Sequence, residues 1–147
     1  MANYRTSVRT PWSAQRAFEY LSDLEHFAQW DPGVKRSVHI AGDRAGLGAE
    51  YDVTVSGPGR DLTLRYKTVA IDPFRRIEVV AETSALRSVD VITVENTIDG
   101  GCVVFYDADL VFRGAFAIAN PLLSLAFRRI GDRAAAGLEH ILEGVAA

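Results

Sequence analysis

Apolar residues recur at Leu123, Phe127, Ile130, Ala134, Leu138, Ile141 and Val145, three or four positions apart. That spacing lines one face of a helix running from Pro121 to about Val145. Arg128, Arg129, Asp132, Arg133, Glu139, His140 and Glu143 fall on the opposite arc. A one-sided helix of this length needs a broad apolar partner. Most of the chain between Val34 and Phe112 alternates apolar and polar residues in short runs, so the expected partner is a sheet. Ala134 and Gly137 place small residues on the buried face. They allow either close helix–sheet contact or an internal space.

In chain order, Asn3–Arg9 reads as a first strand with Tyr4, Thr6 and Val8 on one face. Thr10-Pro11 breaks the ladder, since proline has no N–H to donate. Ser13 is placed to cap a helix with the stripe Ala14, Ala17, Phe18 and Leu21. Ser22-Asp23 opens a second short helix carrying Leu24, Phe27 and Trp30, which Asp31-Pro32-Gly33 stops. Strands follow at Val34–Ile40, Glu50–Ser56, Leu62–Ile71, about 76–82 and about Val89–Ile98. A last strand carries Val104, Tyr106, Ala108, Leu110 and Phe112. Ser56-Gly57-Pro58-Gly59, Asp72-Pro73 and Asp99-Gly100-Gly101 supply turns. Hairpin-length connections make neighbouring strands antiparallel. The expectation is an α+β fold: a curved antiparallel sheet of seven strands around the C-terminal helix, with two short helices between strands 1 and 2. A curved sheet gripping a helix often leaves a cavity between the two.

Composition narrows the functional classes. A chain of 147 residues, 48% hydrophobic and 24% charged, suits one globular domain. The formal net charge of −3 gives no electrostatic reason to expect nucleic acid. Cys102 alone cannot form an internal disulfide. No signal peptide and no bilayer-length apolar run is apparent, so the expected setting is cytoplasmic, without stable membrane insertion.

Certain segments, in their order and spacing, carry a resemblance. They are Ser13-Ala14 through Leu21-Ser22-Asp23-Leu24, Trp30-Asp31-Pro32-Gly33, Gly46-Leu47-Gly48-Ala49 and Asp72-Pro73-Phe74-Arg75-Arg76. The Gly100-Gly101 turn follows, then Gly114 and the helix from Pro121 to Leu142 with Arg128-Arg129. Over nearly its whole length, 1–147, the chain resembles a single domain of the helix-grip superfamily. That group holds START-related lipid-transfer domains, birch-pollen-allergen-like proteins, polyketide cyclases and aromatases (SRPBCC). It is most similar to the bacterial polyketide cyclase/dehydrase-like single-domain proteins. The resemblance implies a ligand cavity lined by Tyr51, Val53, Leu64, Tyr66, Val79, Tyr106, Leu110, Phe112, Phe127 and Ile130. A small hydrophobic molecule would be the partner, with no cofactor. The same residues could equally fill a core, because alternating apolar positions are buried by default.

Candidate chemistry is sparse. The hydroxyls of Tyr66 and Tyr106 want partners when buried and could orient a ligand carbonyl or phenol. Asp90 and Asn96 could share the inward face with Ile92 and Val94, where a carboxylate's pKa would rise. A one-residue slip in register would put Asp90 outside. The related cyclases often place an arginine with tyrosines in the pocket, whereas Arg65, Arg75, Arg76 and Arg113 alternate onto the charged face here. Arg87 falls in an expected loop, within reach of a pocket mouth. His26, His39 and His140 are scattered, so no metal site is expected, and nothing activates Cys102 as a nucleophile. Trp30 either seals the core or gates the cavity. Phe116, Ile118, Leu122 and Leu123 form an apolar entry to the last helix, suited to a lid, a membrane-touching edge or a homodimer contact. Three readings remain. One is binding or transport of a lipid, isoprenoid or polyketide-like molecule. Another is a cyclase, aromatase or dehydratase using Tyr66, Tyr106 or Asp90. The last is an interaction role like that of the ubiquinone-binding or ribosome-associated relatives.

Overall fold

β1 (Ala2–Thr10) turns Ala2, Tyr4, Thr6, Val8 and Thr10 toward the interior and its charged residues outward. In this computed structural model the chain is described at residues 2–56, 59–114 and 120–147, with backbone alone at 120–125. After Pro11 the hydroxyl of Ser13 accepts the Arg16 N–H at 3.2 Å and starts α1 (Ala14–Ser22), whose Ala14, Ala17, Phe18 and Leu21 are buried. Asp23 caps a 3-10 turn at Leu24–His26 by accepting the Glu25 N–H at 3.1 Å. The turn runs into α2 (Phe27–Trp30), one helical turn ended by Asp31.

Six strands then form a meander: β2 (Val34–Ala41), β3 (Glu50–Val55), β4 (Leu62–Asp72), β5 (Arg76–Glu82), β6 (Leu86–Asn96) and β7 (Cys102–Phe112). β7 returns to pair with β1 from Ala2↔Leu110 to Thr10↔Cys102. Register shifts in β2–β3 and at Thr68/Ala70 in β4–β5 bend the sheet. Its outer face carries ion pairs such as Arg65–Asp52 and Arg5–Asp107, both at 3.0 Å and largely exposed.

α3 (Asn120–Ile141) lies on β1 and against α2. Two glycines set how closely it lies. A Cβ at Gly131 would stand 2.4 Å from the Tyr4 ring, and one at Gly137 only 1.7 Å from the Trp30 carbonyl oxygen. The helix stops short of the expected Val145. Glu143 takes a φ of 55°, and the chain then extends as β8 (Val145–Ala146), pairing Val8↔Ala146 and Arg9↔Val145 on β1. Among the described residues the sheet therefore has eight strands, in the order β2-β3-β4-β5-β6-β7-β1-β8, rather than seven. A two-residue strand is too short to show a period in sequence. Val145 continues the helical spacing only by coincidence and is 63% exposed, whereas the neighbouring Leu142 is wholly buried.

Phe18, Leu21, Leu24, Phe27 and Trp30 pack onto Ile77, Val79, Ile92, Val94 and Val104. This packed half of the molecule lies beneath α1 and α2. The other half, toward β3, β4 and the first turns of α3, is not filled.

Candidate functional site

Between α3 and the concave face of the sheet lies a cavity of about 340 Å³. Small-molecule sites commonly measure ~300–1,000 Å³. Its walls are apolar: Val34, Val53, Val55, Leu62, Leu64, Leu86, Ala108, Leu110 and Phe112 on one side, and Phe27, Ala126, Phe127, Ile130 and Ala134 on the other. Small side chains open it where larger ones would close it. Ala108 and Ala134 face the space, and Gly33 and Gly131 lie at its edge. Cys102 is buried, with its thiol pushed up by that burial, and among the described residues no three His, Cys, Asp or Glu side chains group as a metal site.

A polar cluster is set into one wall. Strand pairing brings Tyr66 on β4 opposite Ala81 on β5, and Ala81 opposite Ser88 on β6. The short Ala81 side chain lets the Tyr66 hydroxyl reach across to the Ser88 Oγ, at 2.9 Å. Two residues on, Asp90 lies opposite Ala108 on β7, again a small residue, and the Tyr106 hydroxyl donates to its Oδ2 at 2.9 Å. Ser88 donates a longer bond to Oδ1, at 3.4 Å. Asp90 is 4% exposed. Burial pushes its pKa up to about 7; the Tyr106 and Ser88 hydrogen bonds oppose the rise, and the charge of Asp31 adds to it. Burial and the Asp90 charge also hold the Tyr66 and Tyr106 phenols well above their ordinary pKa, so both stay protonated as donors.

Asp31 reaches the same cavity from the end of α2. Its Oδ1 accepts the Gly33 N–H at 2.8 Å, and its backbone N–H donates to the Phe27 carbonyl. Burial raises its pKa to about 6, against the pull of that Gly33 bond. The arrangement therefore offers two carboxyls able to change protonation near neutral pH, with hydroxyl donors beside one of them.

The expected lining residues Val53, Leu64, Tyr66, Tyr106, Leu110, Phe112, Phe127 and Ile130 all border this cavity. Tyr51 and Val79 do not. Tyr51 lies farther along β3 and its hydroxyl accepts the Ala45 N–H at 2.8 Å, pinning the loop before β3. Val79 faces the packed half, against Leu21, Leu24 and Trp30. Asp90 points inward with Ile92 and Val94, but Asn96 is exposed at the strand end. Arg87 is not in a loop: it is a β6 residue whose Nε lies 3.8 Å from Glu82 on the exposed face. Trp30, stacked on Phe27 and edge-on to Tyr106, seals the core. His26 stacks on Tyr20, its Nδ1 2.7 Å from the Tyr20 carbonyl. Phe116 and Ile118, and the side chains of Leu122 and Leu123, lie outside the described residues, so the apolar entry and the dimer contact expected there do too. Sequence reasoning missed two members. Asp31 reads in sequence only as a helix stop, and Ser88 draws no notice; its position two residues before Asp90 is the available signal.

No curated protein matches the chain. Solved structures do, across almost the full length. A START superfamily protein from Mycobacterium smegmatis aligns with a TM-score of 0.80 at 15% identity, covering 97% of this chain and 98% of that one. The Zhui aromatase/cyclase from a Streptomyces species aligns at 0.78 and 16% identity, covering 96% and 93%. A protein from Thermus thermophilus aligns at 0.77 and 13%, covering 96% and 97%. Likenesses this remote in sequence establish the helix-grip fold. The family model for polyketide cyclase / dehydrase and lipid transport proteins matches residues 1–143, and the chain belongs to that family.

Proposed function

We propose that this protein binds a small, largely apolar molecule in the cavity between the sheet and α3. The observation that carries this reading is the cavity itself: about 340 Å³, walled mostly by aliphatic and aromatic side chains, with buried polar groups at Asp31 and at Tyr66–Ser88–Asp90–Tyr106. Apolar walls provide affinity by removing ligand surface from water, and a localised polar group fixes orientation. Ala134 is 3% exposed and borders the space, so Ala134→Phe fills it from the helix side. The expected outcome is that the wild-type chain binds the neutral fluorescent probe N-phenylnaphthylamine, or carries an apolar molecule visible by native mass spectrometry. The folded Ala134→Phe variant should lose at least ~10-fold in probe affinity. A wild-type chain that neither carries nor binds such molecules sinks the reading.

A second reading, proton-transfer chemistry on a polyketide-like ligand, is favoured by one observation. Asp90 has a pKa of about 7 and a phenol 2.9 Å away inside the same cavity. Acid–base catalysis works best with a group poised near the working pH. Loss of water from a co-purified ligand with wild-type protein, and not with Asp90→Asn, would support it. Recovery of the same ligand unchanged from both would count against it.

A further inference from the structure

The cavity has acids deep inside and, among the described lining residues, no buried cation to match them. Asp31 and Asp90 both line it, 7% and 4% exposed. Asp31 Oδ1 is held by Gly33, while its Oδ2 has no hydrogen-bond partner among the described residues. Around Asp90 stand Ser88 and Ile92 from its own strand, Tyr106 from β7, Tyr66 from β4 and Trp30 from α2. These are hydroxyls and apolar groups, with Asp31 and, more weakly, Asp107 as further acids within electrostatic reach. Arg133 is the one cation among the described lining residues, and it is exposed to solvent on α3. A desolvated carboxylate without a counter-charge is unfavourable, and a cation delivered by the ligand removes that penalty.

We propose, building on the apolar-ligand reading above, that the cavity selects a molecule with an apolar body and a protonated amine, the ammonium seated against Asp31 and Asp90. An ammonium has three donors, and the free Oδ2 of Asp31 and the carboxylate of Asp90 can each accept one. A neutral alcohol would bring a single donor and no charge. A fatty acid would place an anion beside two acids. Because both acids take up protons as the pH falls through about 7 and then about 6, amine affinity declines over the same range.

The test is calorimetric titration of the whole chain with decylamine, decanol and decanoate, at about pH 8 and about pH 5, where the acids change state and the amine does not. At the higher pH decylamine should bind about 10-fold more tightly than decanol, and decanoate more weakly than either. The amine's advantage should shrink at the lower pH. Asp31→Asn and Asp90→Asn should each narrow it ~3-fold or more at the higher pH. Equal binding of decanol and decylamine, or a gap unchanged in both variants, overturns the amine preference and leaves the apolar-ligand reading standing. Tightest binding by decanoate overturns it too, and assigns the ligand's polar group to Arg133. Failure of all three to bind overturns both readings. The wild-type comparison stands even if a variant does not fold.

Discussion

Asp90 is a carboxyl whose charge the fold tolerates poorly. Its pKa rises from an ordinary 3.8 to about 7, while in the unfolded chain it keeps the ordinary value. Between those values the folded state holds a proton that the unfolded state has released. Stability is therefore greatest on the acid side, falls as pH rises through that window, and is level above it. At ~1.4 kcal/mol per pH unit the shift corresponds to on the order of 4 kcal/mol. Asp90→Asn keeps the shape and can still accept the Tyr106 hydroxyl while removing the charge. Thermal unfolding across a pH series should show the variant melting several degrees higher than wild type at about pH 8, with a flatter fall between about pH 4 and 7. A variant that melts lower throughout would mean the charged carboxylate is stabilised by its hydroxyl donors.

At the scale of elements, glycine decides how α3 docks. Alanine favours a helix by roughly 1 kcal/mol over glycine, yet at Gly137 its Cβ would lie 1.7 Å from the Trp30 carbonyl oxygen. The helix would have to lift from α2. Gly137→Ala should therefore destabilise by about 1–3 kcal/mol, read from urea unfolding, and a stabilised variant would show that the contact yields. The elements themselves were largely legible. Alternation at Tyr51–Val55 and at Tyr106–Leu110 is local, and proline and glycine turns punctuate it. The C-terminal end of α3 was not legible, because Glu143-Gly144 turns the chain toward a partner strand more than a hundred residues earlier. Sequence spacing contains no term for that pairing.

For the whole molecule, what could be read was which residues face inward; what could not was how much space they enclose. Volume depends on sheet curvature and on the height of α3, which no single stretch encodes. The polar cluster was half visible for the same reason. Tyr66, Asp90 and Tyr106 each stood out, but their meeting requires Ala81 and Ala108 to be small on intervening strands. The anchoring of α3 is uneven. Gly131 packs on the Tyr4 ring, Asp132 accepts the Tyr4 hydroxyl, Gly137 presses on Trp30 and the Leu142 carbonyl accepts the buried Thr10 hydroxyl, whereas Ala126, Phe127 and Ile130 border the cavity. Among the described residues the helix is thus clamped from Gly131 onward, and the turn before that roofs the ligand chamber. Amide hydrogen exchange should be slower from about Asp132 to Leu142 than from about Ala126 to Ile130, with ligand narrowing the difference. A molecule entering or leaving would then need to displace only that roofing turn, while the clamp keeps the fold's register intact.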